Sequence, residues 1–366
     1  MAPATASTTK PRTGVLLINL GSPDSTSVTD VRKYLGEFLM DGRVIDVPWP
    51  IRSMIVRGFI LPFRPKKSAE AYQSIWTKEG SPLISMSRRV QTLLQDQLDY
   101  PVELAMRYRL PRIGDALGSL KAKGVDQVLL IPLFPHYAMS SYESAVEEVL
   151  RCLRDDYPEL SIKICPPYYQ HPSYLEALAT ITRPHLTHRW DHLLVSFHGI
   201  PERHLKKTDP TQSHCLQAKN CCTIPSPAHA TCYRHQCFQT AAHLVRLLQV
   251  PQEKVTVSFQ SRLGRDAWLQ PYTEPELTRL AQSGVQYLRV LCPAFVSDCL
   301  ETLEEIAVRG KEIFVHHGGK ELELIPCLND HPRWIEAVGD LVRETEASSG
   351  YRSDSATSST GRSLAR

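Results

Sequence analysis

The 366 residues are 42% hydrophobic and 22% charged with a formal net charge of +3, which describes a globular chain long enough for two coupled halves and excludes a strongly basic nucleic-acid surface. No apolar run reaches the roughly 18 residues of a membrane-spanning helix, and the opening "MAPATASTTKPR" lacks an apolar signal core, so the chain is expected in the cytoplasm, at most peripheral to the inner face of a membrane. Ten cysteines without an export signal favour metal over disulfides wherever they cluster.

Residues 1–12 are small and polar and are expected to be disordered. The first predicted strand is "GVLLINL" from Gly14. After it comes "VIDVPWPIRSMIVRGFILPFRPKK", residues 44–67, which mixes Trp49, Met54, Phe59 and Phe63 with Arg52, Arg57, Arg64, Lys66 and Lys67. Apolar anchors beside basic residues suit contact with an anionic lipid surface; a surface helix packed on the core is the plainer alternative. Further strands are predicted at "VELAMRY" from Val102, "QVLLIPLFP" from Gln127 and "SIKICPPYY" from Ser161. The pattern then starts again with "HLLVSFHG" from His192, "VTVSFQS" from Val255, "YLRVLCPAFV" from Tyr287 and "IFVHHGG" from Ile313. Near-continuous apolar runs joined by amphipathic stretches read as parallel sheets covered on both faces. The expectation is an α/β fold of two similar, doubly wound, four-stranded halves, residues 13–185 and 186–345, with a disordered tail at 346–366.

In such sheets ligands bind beyond the carboxyl ends of the strands. Those ends carry Asn19 and Gly21, Arg107 and Tyr108, His136 and Tyr137, His198 with Gly199 and Pro201, Gln260 and Ser261, and Ser297 and Asp298. His198 closes an apolar run and is followed at once by two chain-bending residues, which aims an imidazole at a cleft. Neither glycine-rich nucleotide cradle is present, nor a nucleophile elbow, so no nucleotide is expected.

Several long stretches, in order, resemble the ferrochelatase family: "LLINLGSPDS", "FLMDGRVIDVP", "AMRYRLPRI", "LLIPLFPHYAMSSYESA", "SFHGIPERHLKKTDP", "VSFQSRLGRDAWLQPYT" and "LCPAFVSDCLETLEEI". The resemblance implies two Rossmann-like halves with a porphyrin cleft between them, and insertion of Fe2+ into a porphyrin, protoporphyrin IX above all, to form haem. Another tetrapyrrole chelatase, of the coproporphyrin or cobalt/sirohydrochlorin type, is the alternative enzyme. A non-catalytic iron–sulfur or haem sensor on the same fold is the third reading.

Metallation removes two pyrrole protons and bends a flat ring, so it needs a base, a metal path and a rigid clamp. The resemblance makes His198 and Glu301 the catalytic pair and the groups that meet the substrate iron. Asp298, Cys299 and Glu305 are expected along the proton or metal path. Cys299 stands where a common form of the pattern has a second histidine, and a thiol there either binds iron or packs as a small apolar group. Asp298 followed three residues later by Glu301 is also capping-box spacing, a structural role compatible with catalysis. Leu20, Ser22, Arg107, Tyr108, Tyr137, Ser140, Ser141 and Trp268 match porphyrin-lining positions, with Arg107 as a two-pronged propionate clamp. Residues 44–67 resemble the lip over the family's cleft.

An insertion at about residues 210–238, "HCLQAKNCCTIPSPAHATCYRHQC", carries five cysteines in the spacing C-x5-C-C-x9-C-x4-C. Such spacing is open to an iron–sulfur cluster, to zinc or to free thiols, and is wider than most zinc ribbons. It resembles the internal insertion that holds a [2Fe-2S] cluster in some bacterial members, which implies Cys215, Cys222, Cys232 and Cys237 as ligands, with Cys221 the rival to Cys222. The expected partners are porphyrin and ferrous iron, with peripheral contact to an anionic membrane where residues 44–67 act as a lip and not as a packed helix, no nucleic acid, and the chain a monomer or homodimer.

Overall fold

The computed structural model describes residues 11–264 and 266–348. Eight strands form, β1 Thr13–Gly21, β2 Val102–Tyr108, β3 Gln127–Pro132, β4 Ser161–Ile164, β5 His192–His198, β6 Val255–Gln260, β7 Tyr287–Leu291 and β8 Glu321–Leu324. They make two all-parallel sheets of the same topology, ordered β2-β1-β3-β4 and β6-β5-β7-β8. Parallel strands demand cover on both faces, and the central strands show it: Val15, Leu16, Leu17 and Ile18 of β1 and Leu194 and Phe197 of β5 are fully buried.

The helices are α1 Val28–Leu39, α2 Trp49–Ser53, α3 Arg64–Ile75, α4 Pro82–Gln95, α5 Ile113–Ala122, α6 Ser144–Asp156, α7 Pro172–Thr182, α8 Glu202–Lys207, α9 Tyr233–Leu248, α10 Thr273–Gln282, α11 Leu300–Leu303, α12 Lys311–His316 and α13 Pro332–Ala347. Three π-helical stretches, Met54–Ile60, Met139–Glu143 and Glu305–Gly310, sit beside helix ends. One apolar core runs through both halves, joining Leu17 and Leu129 to Val195 and Trp334, while smaller cores fill the outer face of each sheet. Helix α13 returns to the first half: its Ser173–Asp340 hydrogen bond is 2.5 Å, and Glu346 accepts from Tyr100 Oη at 2.7 Å.

Seven predicted strands form where expected, and the eighth does not. The run from Ile313 lies in α12, where Phe314 is fully buried but Val315 is 45% exposed, the one-sided burial of a helix. Gly318, at φ 107°, turns the chain, and the edge strand is the following "ELEL". That segment is charged on one face because Glu321 and Glu323 pair with the buried Arg289 of β7 at 2.7 and 2.9 Å. Helix α13 also extends to Ala347, past the start of the expected tail; the disorder expected for residues 1–10 and 349–366 lies outside the described residues.

Candidate active site

The sheet delivers His198 as the last residue of β5, paired with Gln260 on β6. Its Nδ1 lies 2.6 Å from the carbonyl of Gly199. A carbonyl only accepts, so Nδ1 is the donor in this bond, which leaves Nε2 as the ring nitrogen open to other partners. Gly199 is required by close approach: a Cβ there would sit 2.7 Å from the Gln260 carbonyl and 3.2 Å from the Trp268 ring. The imidazole faces Phe295 and Trp268, with centroids 6.1 and 6.5 Å away.

Opposite lies the acidic stretch. The first residue outside α11 is Cys299, not Asp298, so the capping box forms between Cys299 and Thr302 and Glu301 falls inside the first turn. This corrects the expected Asp298 cap. Asp298 instead holds the loop, accepting from Asn329 Nδ2 at 2.7 Å, Thr302 Oγ1 at 3.1 Å and the Cys327 N–H at 3.3 Å. Gln260 Nε2 donates to the Glu301 carbonyl at 2.7 Å, tying this turn to β6. Glu305 accepts from the Ser261 N–H at 2.8 Å and its hydroxyl at 2.6 Å. Burial raises the Glu305 carboxyl above its ordinary value and the charge of Glu301 adds to the rise, against the Ser261 bond and the proximity of His198. His198, Glu301 and Glu305 therefore share one electrostatic site. Cys299 is 5% exposed; burial first, then the Glu301 charge and hydrogen bond, keep its thiol protonated.

Tyr34 of α1 and Tyr72 of α3 also feel the Glu301 charge, and burial keeps both phenols protonated. No sequence signal places them there, since α1 and α3 lie in the other half. The first-half wall is more self-contained than expected. Arg107 donates to Asp41 at 2.7 Å and to Ser144 Oγ at 2.8 Å, and Tyr108 donates to Asp41 at 2.9 Å. Tyr108 is 2% exposed, and Asp41, in the quoted "FLMDGRVIDVP", is the partner that sequence reasoning missed. Gly21, at φ 116°, closes against β2, where an added Cβ would meet the Tyr108 carbonyl at 2.0 Å.

Leu20 is partly buried against the cores of the first half. Tyr137 donates to Glu143 at 2.5 Å, and Ser140 and Ser141 lie half-buried in the π-helical turn between them. The buried Ser22 Oγ, Ser297 Oγ and Trp268 Nε1 have no protein hydrogen-bond partner.

In the insertion all five thiols are buried. Cys215 and Cys222 both hydrogen-bond to Cys232, and these bonds draw Cys232 down toward the thiolate. Cys222, not Cys221, makes that contact. Cys237 lies fully buried on the next turn of α9, against Tyr233 and near Cys232. The Cys221 carbonyl accepts from His214 at 2.8 Å and His229 at 3.1 Å, and that of Cys222 from His235 at 2.7 Å. The donor chemistry suits a thiolate-held cluster, yet among the described residues no three or more His, Cys, Asp or Glu side chains are arranged to hold a metal ion.

The stretch at 44–67 is an apolar projection: Trp49, Met54, Phe59 and Phe63 are 58, 59, 66 and 76% exposed. Among the described residues no helix is long and apolar enough to cross a membrane.

Comparison with known proteins settles the lineage. The sequence profile of the family described as Ferrochelatase matches residues 12–346. The chain is 50% identical to the ferrochelatase of Pseudomonas putida over 333 residues, covering 90% of this chain and 98% of that one. It is 52% identical to the ferrochelatase of Azotobacter vinelandii over 331 residues, covering 90% and 98%. Among solved structures, the sirohydrochlorin chelatase SirB of Bacillus subtilis subspecies spizizenii superposes with a TM-score of 0.52 at 12% identity, covering 91% of this chain and 95% of that one, a likeness of fold alone. The twin parallel sheets are the chelatase fold, and the chain belongs to the ferrochelatase family, metal chelatases that insert ferrous iron into a porphyrin to make haem.

Proposed function

We propose that His198 and Glu301 perform the metallation, on the observation that His198 closes β5 with Nδ1 held at the Gly199 carbonyl and that Glu305 feels the charges of both His198 and Glu301. Nε2 takes a pyrrole proton as the second pyrrole nitrogen is deprotonated toward Glu301. Glu305, held by Ser261, passes charge along the same line, and Cys299 supports Glu301 as a hydrogen-bond donor instead of an iron ligand. Asp298 acts by fixing the loop. Ferrous iron is substrate, and two protons leave for each ion that binds the ring.

Trp268, Leu20, Ser22, Tyr137, Ser140 and Ser141 line the porphyrin, with Arg107 and Tyr108 bracing that wall through Asp41. The favoured porphyrin is protoporphyrin IX, because the exposed lip of Trp49, Met54, Phe59 and Phe63 suits collection of an insoluble ring from an anionic bilayer. The halves divide near residue 185, with α13 crossing back. Cys215, Cys222, Cys232 and Cys237 would hold a [2Fe-2S] cluster, supported by the three bonded thiols and the buried fourth. When bound, such a group supplies a covalent clamp on the insertion.

An anaerobic assay with Fe2+ tests this, comparing protoporphyrin IX with coproporphyrin III and wild type with His198→Ala. The expected result is faster haem formation from protoporphyrin and a loss of roughly 100-fold or more in kcat for the variant. Full turnover by His198→Ala removes His198 from the mechanism, and faster coproporphyrin metallation reverses the substrate.

A further inference from the structure

We propose that the first two turns of α9 form a strap from the cysteine insertion to both walls of the porphyrin cleft, with Tyr233 and Gln236 as positioning residues. Tyr233 donates its hydroxyl to the carbonyl of His198 at 2.9 Å. Gln236 is fully buried and uses both ends of its amide. Its Oε1 accepts the Tyr137 N–H at 2.7 Å, on the opposite wall. Its Nε2 donates to the Ala230 carbonyl at 2.9 Å and the His229 carbonyl at 3.3 Å, inside the insertion.

Further along the helix Thr240 repeats the pattern. Its hydroxyl donates to the Tyr169 carbonyl at 2.7 Å, so it accepts from His136 Nε2 at 2.9 Å, one residue before Tyr137. Positions 233, 236 and 240 fall on one helical face, and Cys237 shares it, in contact with Tyr233. Cys232 caps the same helix, its Sγ accepting the His235 N–H at 3.5 Å. The face that gathers thiols is thus the face that holds the cleft. Order in the insertion sets the position of His198 through one hydroxyl and of the Tyr137 loop through one amide.

This inference rests on the reading of His198 as the base and of Tyr137 as a porphyrin contact. The test uses the full chain as purified, with Tyr233→Phe, which removes only a hydroxyl, Gln236→Met, which keeps length but no polar atoms, and His198→Ala as control. Steady-state kcat and KM are measured beside porphyrin Kd from quenching of tryptophan fluorescence and Tm. Loss of one oriented hydrogen bond predicts kcat roughly 3- to 10-fold lower in Tyr233→Phe with porphyrin Kd within about twofold. In Gln236→Met the split reverses, with Kd roughly 5- to 10-fold weaker and kcat within about threefold. Constants unchanged in both variants overturn the strap, as does a parallel loss of kcat, Kd and Tm, which marks a scaffold role only. Active His198→Ala defeats the assignment of the base and the Tyr233 arm with it, while the Gln236 effect on Kd still decides the strap.

Discussion

Cys299 occupies a position where the family pattern led us to weigh an iron ligand against a small packing group. Its surroundings support the third role that we propose. The thiol caps α11, accepting from the third helical N–H, and donates to Glu301 while buried and protonated. Serine reproduces both bonds with stronger groups, whereas alanine reproduces neither. Cys299→Ser is expected to keep kcat within about threefold and Tm unchanged, and Cys299→Ala to lose up to about 1 kcal/mol of stability. Iron titration would decide the alternative: if Cys299→Ser raises the KM for Fe2+ tenfold with Tm intact, the sulfur is a ligand after all. The sequence identified residue 299 as anomalous, but its role depended on a helix start displaced by one residue. Arg107 is the parallel case: its type and place were legible, while its partner Asp41, 66 residues away in sequence, was not.

Elements were legible where burial made their chemistry one-sided. β1, β3 and β5 are apolar almost throughout because both sheet faces are covered. β8 was misplaced because an edge strand can devote one face to carboxylates for Arg289. The lip lay between these cases, since composition alone did not separate a packed surface helix from a membrane contact; Trp49, Met54, Phe59 and Phe63 are exposed and not packed on the core, which supports the membrane contact that we propose. A Phe transferred from water to lipid contributes about 1.5–3 kcal/mol, so Phe59→Ser or Phe63→Ser should each weaken partitioning to vesicles roughly tenfold or more. Arg57, Arg64, Lys66 and Lys67 should make that binding depend on anionic lipid and weaken with salt. Vesicle flotation at constant Tm checks this, and equal recovery of wild type with neutral and anionic vesicles would sink the electrostatic part.

Across the whole molecule, the segment at 44–67 is fastened to α8, a few residues beyond His198. Asp46 is only 3% exposed in its side chain and lies 2.6 Å from Arg203 and 2.5 Å from Lys207 of α8, with His204 Nε2 in ion-pair range at 3.3 Å. Helix α8 begins directly after Pro201, so this tie fixes the lip relative to His198. Burial pushes the Asp46 carboxyl up, but hydrogen bonds from Lys207 and Arg203 outweigh it and hold the group at about 2, against an ordinary 3.8. The folded value is depressed, so the stabilisation is fully present above pH 4 and is lost as pH falls through about 2. With half-exposed cations as partners, the tie contributes about 1–2 kcal/mol. Asp46→Asn should therefore lower Tm by a few degrees, equally at pH 7 and pH 5, and the gap should narrow at pH 3, where Asp46 of the unfolded chain takes up a proton while the folded carboxylate, held at about 2, stays ionised. A gap that stays constant from pH 7 to pH 3 would show that packing of residue 46, and not its charge, joins the halves.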